Sequence, residues 1–151
     1  MEGDFKKLVE EFELANHYQD IACDILKKIE IDNKDKNLYS LFYLSIEESI
    51  SYFCDAIHNK LDLSIKDFDN FNFSEKCKLL QNSDSIKNII KSEINSRGFL
   101  FDLENSKKNY ALWINTLDNH PPDGFLSDKC KKISKNIKEQ LLKTTFCTDL
   151  Y

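Results

Sequence analysis

At 151 residues, with 41% hydrophobic and 31% charged side chains, the chain has the balance of one globular domain that can bury an apolar core without staples. That balance excludes a globally disordered chain. A formal charge of −5 disfavours non-specific binding to polyanions, although it leaves room for a local basic face.

The expected elements run in chain order as helices. Residues 4–30 carry Phe5, Leu8, Val9, Phe12, Ala15, Ala22, Leu26 and Ile29 at helical spacing, which makes one apolar stripe. Asp32, Asn33, Lys34 and Asp35 read as a loop, because short polar side chains compete for backbone hydrogen bonds. A second helix over residues 36–60 has Tyr39, Phe42, Tyr43, Ile46, Ile50, Phe53 and Ile57 on its seam, continuing to Leu61. Leu41 and Leu44 point elsewhere, so this helix either touches several neighbours or forms a subunit contact. Residues 62–74 read as a loop whose Phe68, Phe71 and Phe73 dock onto the bundle, since the interleaved Asp and Asn are poor strand formers. Ser74 is the expected cap of a short helix reaching Gln81, and Asp84 or Ser85 opens another that ends near Gly98. Asp102 is the expected cap of a helix with Leu103, Tyr110, Trp113, Ile114 and Leu117 inward. Pro121 and Pro122 stop that helix by residue 119, and Ser127 opens the last one, with Cys130, Ile133, Ile137, Leu141 and Thr144 on one side. With only three glycines and two prolines there are too few turn residues for a β-rich fold. The pattern is an all-α, elaborated helical bundle of about five to six helices, and residues 1–151 form a single helical domain with no solenoid repeat.

The opening Met1-Glu2-Gly3-Asp4 has neither a basic region nor an apolar stretch, which reads as no secretory signal. The most apolar stretch, residues 38–50, is interrupted by Ser40, Ser45, Glu47, Glu48 and Ser49 and is too polar to span a bilayer. Cys23, Cys54, Cys77, Cys130 and Cys147 are odd in number and make no Cys-x-x-Cys unit. They read as free thiols of a reducing cytoplasm, and Cys23, Cys54 and Cys130 on helices as small hydrophobes.

Several constellations carry potential chemistry. Glu13, His17, Asp20 and Asp24 on the first helix, with Glu48, Asp55 and His58 on the second, contain metal-ligating types. The turn of about 100° per residue puts the first four opposite the apolar stripe and Asp55 away from its seam, so these groups are expected to face water. Cys54 precedes His58 by one helical turn, yet it projects toward the apolar side, where a buried thiol stays protonated and inert. His120 and Asp123 flank the rigid Pro121-Pro122 corner, either as presented loop residues or simply as part of that corner. Lys131, Lys132, Lys135 and Lys138 lie opposite the last helix's apolar seam. They form a basic ridge able to touch phosphates, or else a plainly solvated face without interleaved aromatics. Gly-rich phosphate cradles, dinucleotide fingerprints, metalloprotease His-Glu units and calcium loops are all missing from the sequence, so no cofactor is expected.

From residue 38 to residue 117, the long apolar helix, the short Phe73-Ser-Glu-Lys-Cys-Lys-Leu-Leu80 segment and the run from Ile89 to Arg97 resemble the HEPN superfamily of helical, often dimeric proteins. The resemblance implies a dimer cleft in which an arginine and a nearby histidine promote attack by an RNA 2′-hydroxyl. Arg97, the only arginine in the chain, would be that arginine, whereas Asp102 stands where the histidine would be expected. A catalytically degenerate, RNA-binding member is therefore what the likeness implies. Arg97 also has a plain role, since it precedes Gly98 at a helix C-terminus whose carbonyls favour a cation. The leading expectation is a non-enzymatic binding or regulatory protein of the cytoplasm that self-associates as a homodimer or contacts a protein partner, without a membrane. RNA binding through Arg97 and the lysine ridge is the alternative, and a metal enzyme using His17 and His58 the third.

Overall fold

A computed structural model describes residues 2–60, 63–80, 99–118 and 135 of the chain. These residues are all-α: α1 (Glu2–Ile31), α2 (Lys36–Lys60), a 3-10 turn (Phe68–Asn70), α3 (Phe73–Leu80) and α4 (Phe99–Ile114). The expected helices at 84–98 and 127–144 lie outside the described residues, except that Lys135 is helical and exposed.

α1 and α2 form an antiparallel hairpin because the loop between them is built from polar caps. Lys34 N–H donates to Asp32 Oδ1 at 3.2 Å, and Asn37 N–H to Asp35 Oδ1 at 3.0 Å. Asp35 thereby caps the start of α2. The two axes approach closely where small side chains face each other. Ala15, Ala22 and Ser49 are fully buried, and Ser49 Oγ donates to the Ala15 carbonyl at 2.8 Å across the interface. Larger rings fill the flanks: Phe12 meets Phe53 edge-on at 6.3 Å and Tyr18 stacks on Tyr52 at 5.6 Å. The stripe on α1 continues through Ile25, Leu26 and Ile29, and it includes Gln19, a polar residue the apolar pattern does not pick out. Val9, assigned to the stripe by spacing, is 38% exposed at its edge.

α4 runs antiparallel to α2 and meets it through an aromatic seam. Tyr39 packs edge-on against Trp113 at 5.1 Å, and Tyr43 lies 5.5 Å from Tyr110. Hydroxyls tie the seam: Tyr110 donates to the Lys36 carbonyl at 3.1 Å, Ser40 Oγ bonds the Tyr110 hydroxyl, and the Tyr43 hydroxyl bonds Ser106 Oγ. Lys107 pairs with Glu47 at the rim. Three expectations for this helix change. It begins by Phe99, so Asp102 lies inside the helix and not at its cap. Ile114 is 43% exposed at the last residue of α4, and Leu117, beyond the helix, is wholly exposed. That end is closed by Trp113 Nε1, which donates to the Asp118 carbonyl at 3.1 Å.

α3 is short and covers only the C-terminal half of α2. Its cap is Asn72 and not Ser74, since Glu75 N–H donates to Asn72 Oδ1 at 2.9 Å; it is described as far as Leu80, and the expected end at Gln81 lies outside the described residues. Of the three loop phenylalanines, Phe68 is buried, Phe73 is half-buried in the first turn of α3, and Phe71 is 36% exposed.

Candidate functional site: a buried polar cluster between α1, α2 and α3

The charged face of α2 is not uniform along its length. At 100° per residue, Leu41, Leu44, Glu48, Asp55 and Asn59 share one angular sector. In the N-terminal half that sector is open, with Leu41 49% and Leu44 58% exposed. In the C-terminal half it is roofed by α1, the 3-10 turn and α3. Asp55 is therefore buried, contrary to its expected place in water. The sequence periodicity locates the sector correctly but cannot say that α3 covers half of it.

Lys76 of α3 enters this roofed space and is 2% exposed. Its Nζ lies 2.8 Å from Asp55 Oδ1, donates to Ser51 Oγ at 2.8 Å, and stands 5.8 Å above the ring of Phe68. The pair neutralises itself, but burial still outweighs it for the acid. Desolvation raises the Asp55 carboxyl above its ordinary value, while the Lys76 hydrogen bond and charge pull it back only in part. On the adjoining side Asn59 Nδ2 donates to both oxygens of Glu11, at 2.8 and 2.7 Å. Burial raises the Glu11 carboxyl as well; the Asn59 bond opposes the shift and Asp55 adds to it. Two carboxylates and one ammonium are thus buried close together between the helices.

His58 belongs to the same wall, although Cys54 is not its partner. Its ring stacks face to face on Phe68, with centroids 4.3 Å apart and planes within 7°, and its Nε2 accepts the Ile65 N–H at 2.9 Å. A ring nitrogen that accepts carries no hydrogen, so the imidazole proton belongs on Nδ1. That Nδ1 is buried and meets no hydrogen-bond partner among the described residues. The imidazole pins residues 63–68 under the end of α2, where Ser64 and Asp67 take left-handed backbone angles to make the turn. Cys54 faces Cys77 of α3, with sulfurs 3.6 Å apart and both residues buried. Hydrogen bonding to Cys77 and burial hold the Cys54 thiol well above its ordinary value. The arrangement is therefore a structural polar core, with no exposed nucleophile in it.

The other candidates separate into exposed and undescribed positions. Glu13, His17, Asp20 and Asp24 are exposed along α1, as the wheel placed them, and Glu48 is exposed on α2. Among the described residues no group of three or more His, Cys, Asp or Glu side chains could hold a metal ion. Lys135 is exposed. Arg97, Lys131, Lys132, Lys138, His120 and Asp123 lie outside the described residues, so the proposed RNA cleft and the Pro121-Pro122 corner are not brought into this geometry. Glu11, Lys76 and Asn59 were missed in sequence. The one usable signal was the i,i+4 pairing of Asp55 with Asn59 on a face that carries leucines about three and four turns earlier. Among the described residues no helix is long and apolar enough to cross a membrane. No family model matches the chain, and no curated protein or solved structure matches it either. The HEPN likeness therefore rests on its sequence features alone.

Proposed function

We propose that the chain is a non-enzymatic helical binding protein of the cytoplasm that acts through helix–helix contacts, first of all with a second copy of itself. The reading keeps the five-to-six-helix bundle expected from the spacing. It rests on one observation: Leu41 and Leu44, 49% and 58% exposed, stand one turn apart on a helix whose opposite face is core. A pair of leucines at this spacing is self-complementary across a two-fold axis. In an antiparallel pairing centred between them, Asn37 of one copy comes opposite Glu48 of the other, which supplies a polar rim. The burial of Asp55 and Cys54 and the stacking of the His58 ring on Phe68 support a binding role over a reactive one, since these groups are committed to packing.

Size-exclusion chromatography with light scattering tests this. The expected result is a dimer at micromolar protein that Leu41→Glu combined with Leu44→Glu converts to a folded monomer. A wild-type chain that is cleanly monomeric at that concentration would overturn the reading.

RNA binding is the second reading, and the exposure of helical Lys135 supports it. Phosphate-driven affinity falls steeply with salt. No retention of short RNAs at low salt would end it, and unchanged binding by Arg97→Ala would remove Arg97 from it.

A further inference from the structure

Two buried thiols, on different helices and directed at each other, do nothing for a binding surface. Cys54 lies in the middle of α2 and is 3% exposed; Cys77 lies in α3 and is 6% exposed. Their sulfurs are 3.6 Å apart, against roughly 2.0 Å for a disulfide, so closure needs an approach of about 1.5 Å. α3 is an eight-residue helix anchored to α2 through Lys76, Cys77 and Leu80, and it is the smaller body to move. Cys23, by contrast, is half-buried on α1.

We propose that Cys54 and Cys77 are a modification site. They are free at rest, and they close to an intramolecular disulfide that joins α3 to α2 when the chain meets a peroxide-class oxidant. The Cys77 sulfur, on the shorter helix, attacks one peroxide oxygen. The O–O bond breaks, the departing hydroxide takes up the Cys77 thiol proton as water, and a sulfenic acid forms on Cys77. The Cys54 sulfur then attacks the Cys77 sulfur, the S–O bond breaks, and the Cys54 proton leaves with that oxygen as water. In sum, two thiols and one hydrogen peroxide give one disulfide and two waters. The two sulfurs are oxidised and the peroxide oxygens reduced. Because the Cys54 thiol is held protonated, closure follows the opening of α3 and is slow in the folded chain. The product ties together the roof over Asp55 and Lys76. The bond spans 23 positions of sequence, a loop long enough to restrict the unfolded chain appreciably.

The test treats a full-length chain carrying Cys23→Ser, Cys130→Ser and Cys147→Ser with hydrogen peroxide and reads the intact mass without reductant. The expected product has lost two hydrogens and both titratable thiols. It yields one cross-linked peptide pair containing Cys54 and Cys77, and dithiothreitol restores it. Its urea midpoint is higher oxidised than reduced. Adding Cys77→Ser abolishes the cross-link and leaves Cys54 as a thiol or an oxygen adduct. If the triple variant does not fold, the same digest on the native chain reads the 54–77 link directly. Oxygen adducts without the cross-link, a link between two chains through Cys54 or Cys77, or thiols unchanged after prolonged peroxide would each overturn the proposal.

Discussion

Removing Asp55 tests whether the roofed end of α2 is held by its buried ion pair. Asp55→Ala leaves the Lys76 ammonium, 2% exposed, without its counter-charge. Breaking one half of a buried pair costs roughly 3–5 kcal/mol. Two things soften this here: Ser51 Oγ remains 2.8 Å from Nζ, and the Phe68 ring remains beneath it. A loss of about 2–4 kcal/mol is therefore expected, a large share of the roughly 5–15 kcal/mol available to a domain. At about 2–4 °C per kcal/mol, the melting temperature should fall by about 6–12 °C for a loss near 3 kcal/mol. Lys76→Met is the mirror perturbation. It strands a carboxyl whose folded pKa is already raised, so the folded state binds its proton more tightly than the unfolded chain. The variant's stability should be highest below the ordinary aspartate pKa and be lost as pH rises through the raised folded value. Asp55→Leu with Lys76→Met removes both charges and should return to within about 1 kcal/mol of wild type or exceed it. Urea denaturation followed by circular dichroism at two pH values measures all four chains. The reasoning fails if Asp55→Ala costs less than about 1 kcal/mol, or if the double variant is weaker than either single one.

Glu11→Gln keeps an acceptor for the Asn59 amide and removes a buried charge, so at neutral pH it should be as stable as wild type or more so. Wild type should gain stability as pH falls through the raised Glu11 value toward about 4.3, and the variant should lack that contribution; a marked loss at neutral pH would refute it. Phe68→Ala removes a side chain 2% exposed that supports both His58 and Lys76, and a loss of about 3–5 kcal/mol in urea denaturation is expected. Tyr110→Phe deletes the hydroxyl that joins Ser40 and the Lys36 carbonyl and should cost about 0.5–1.5 kcal/mol; an unchanged urea midpoint would mean these bonds contribute nothing.

The helical frame was legible because helical periodicity is local. The 36–60 helix is observed as Lys36–Lys60, and the 4–30 helix extends only slightly at each end. Burial of Tyr39, Phe42, Tyr43, Ile46 and Ile50 and exposure of Leu41 and Leu44 were read from the same spacing. The candidate site was not legible, because its partners are distant in sequence. Lys76 reads as an ordinary polar residue of a short helix until Asp55 is known to lie beneath it. The wheel assigns one fate to a whole face, whereas α3 covers that face at one end only. Asn72 was passed over as a cap because Ser74, a good capper itself, stood nearby, but the bonding side chain comes from the residue just before the first turn.

The aromatic seam has a consequence for how unfolding is watched. Trp113 is the only tryptophan, and it belongs to α4, whose ring contacts reach back to Tyr39 across much of the chain. The α1–α2 hairpin needs only the closure of residues 32–35 and carries most of the described helical residues. Indole fluorescence therefore reports the release of α4, while far-ultraviolet ellipticity reports mainly the hairpin. Denaturation curves from the two probes that fail to superimpose would reveal α4 leaving a hairpin that persists, so a single fluorescence midpoint would understate how tightly the first sixty residues hold together.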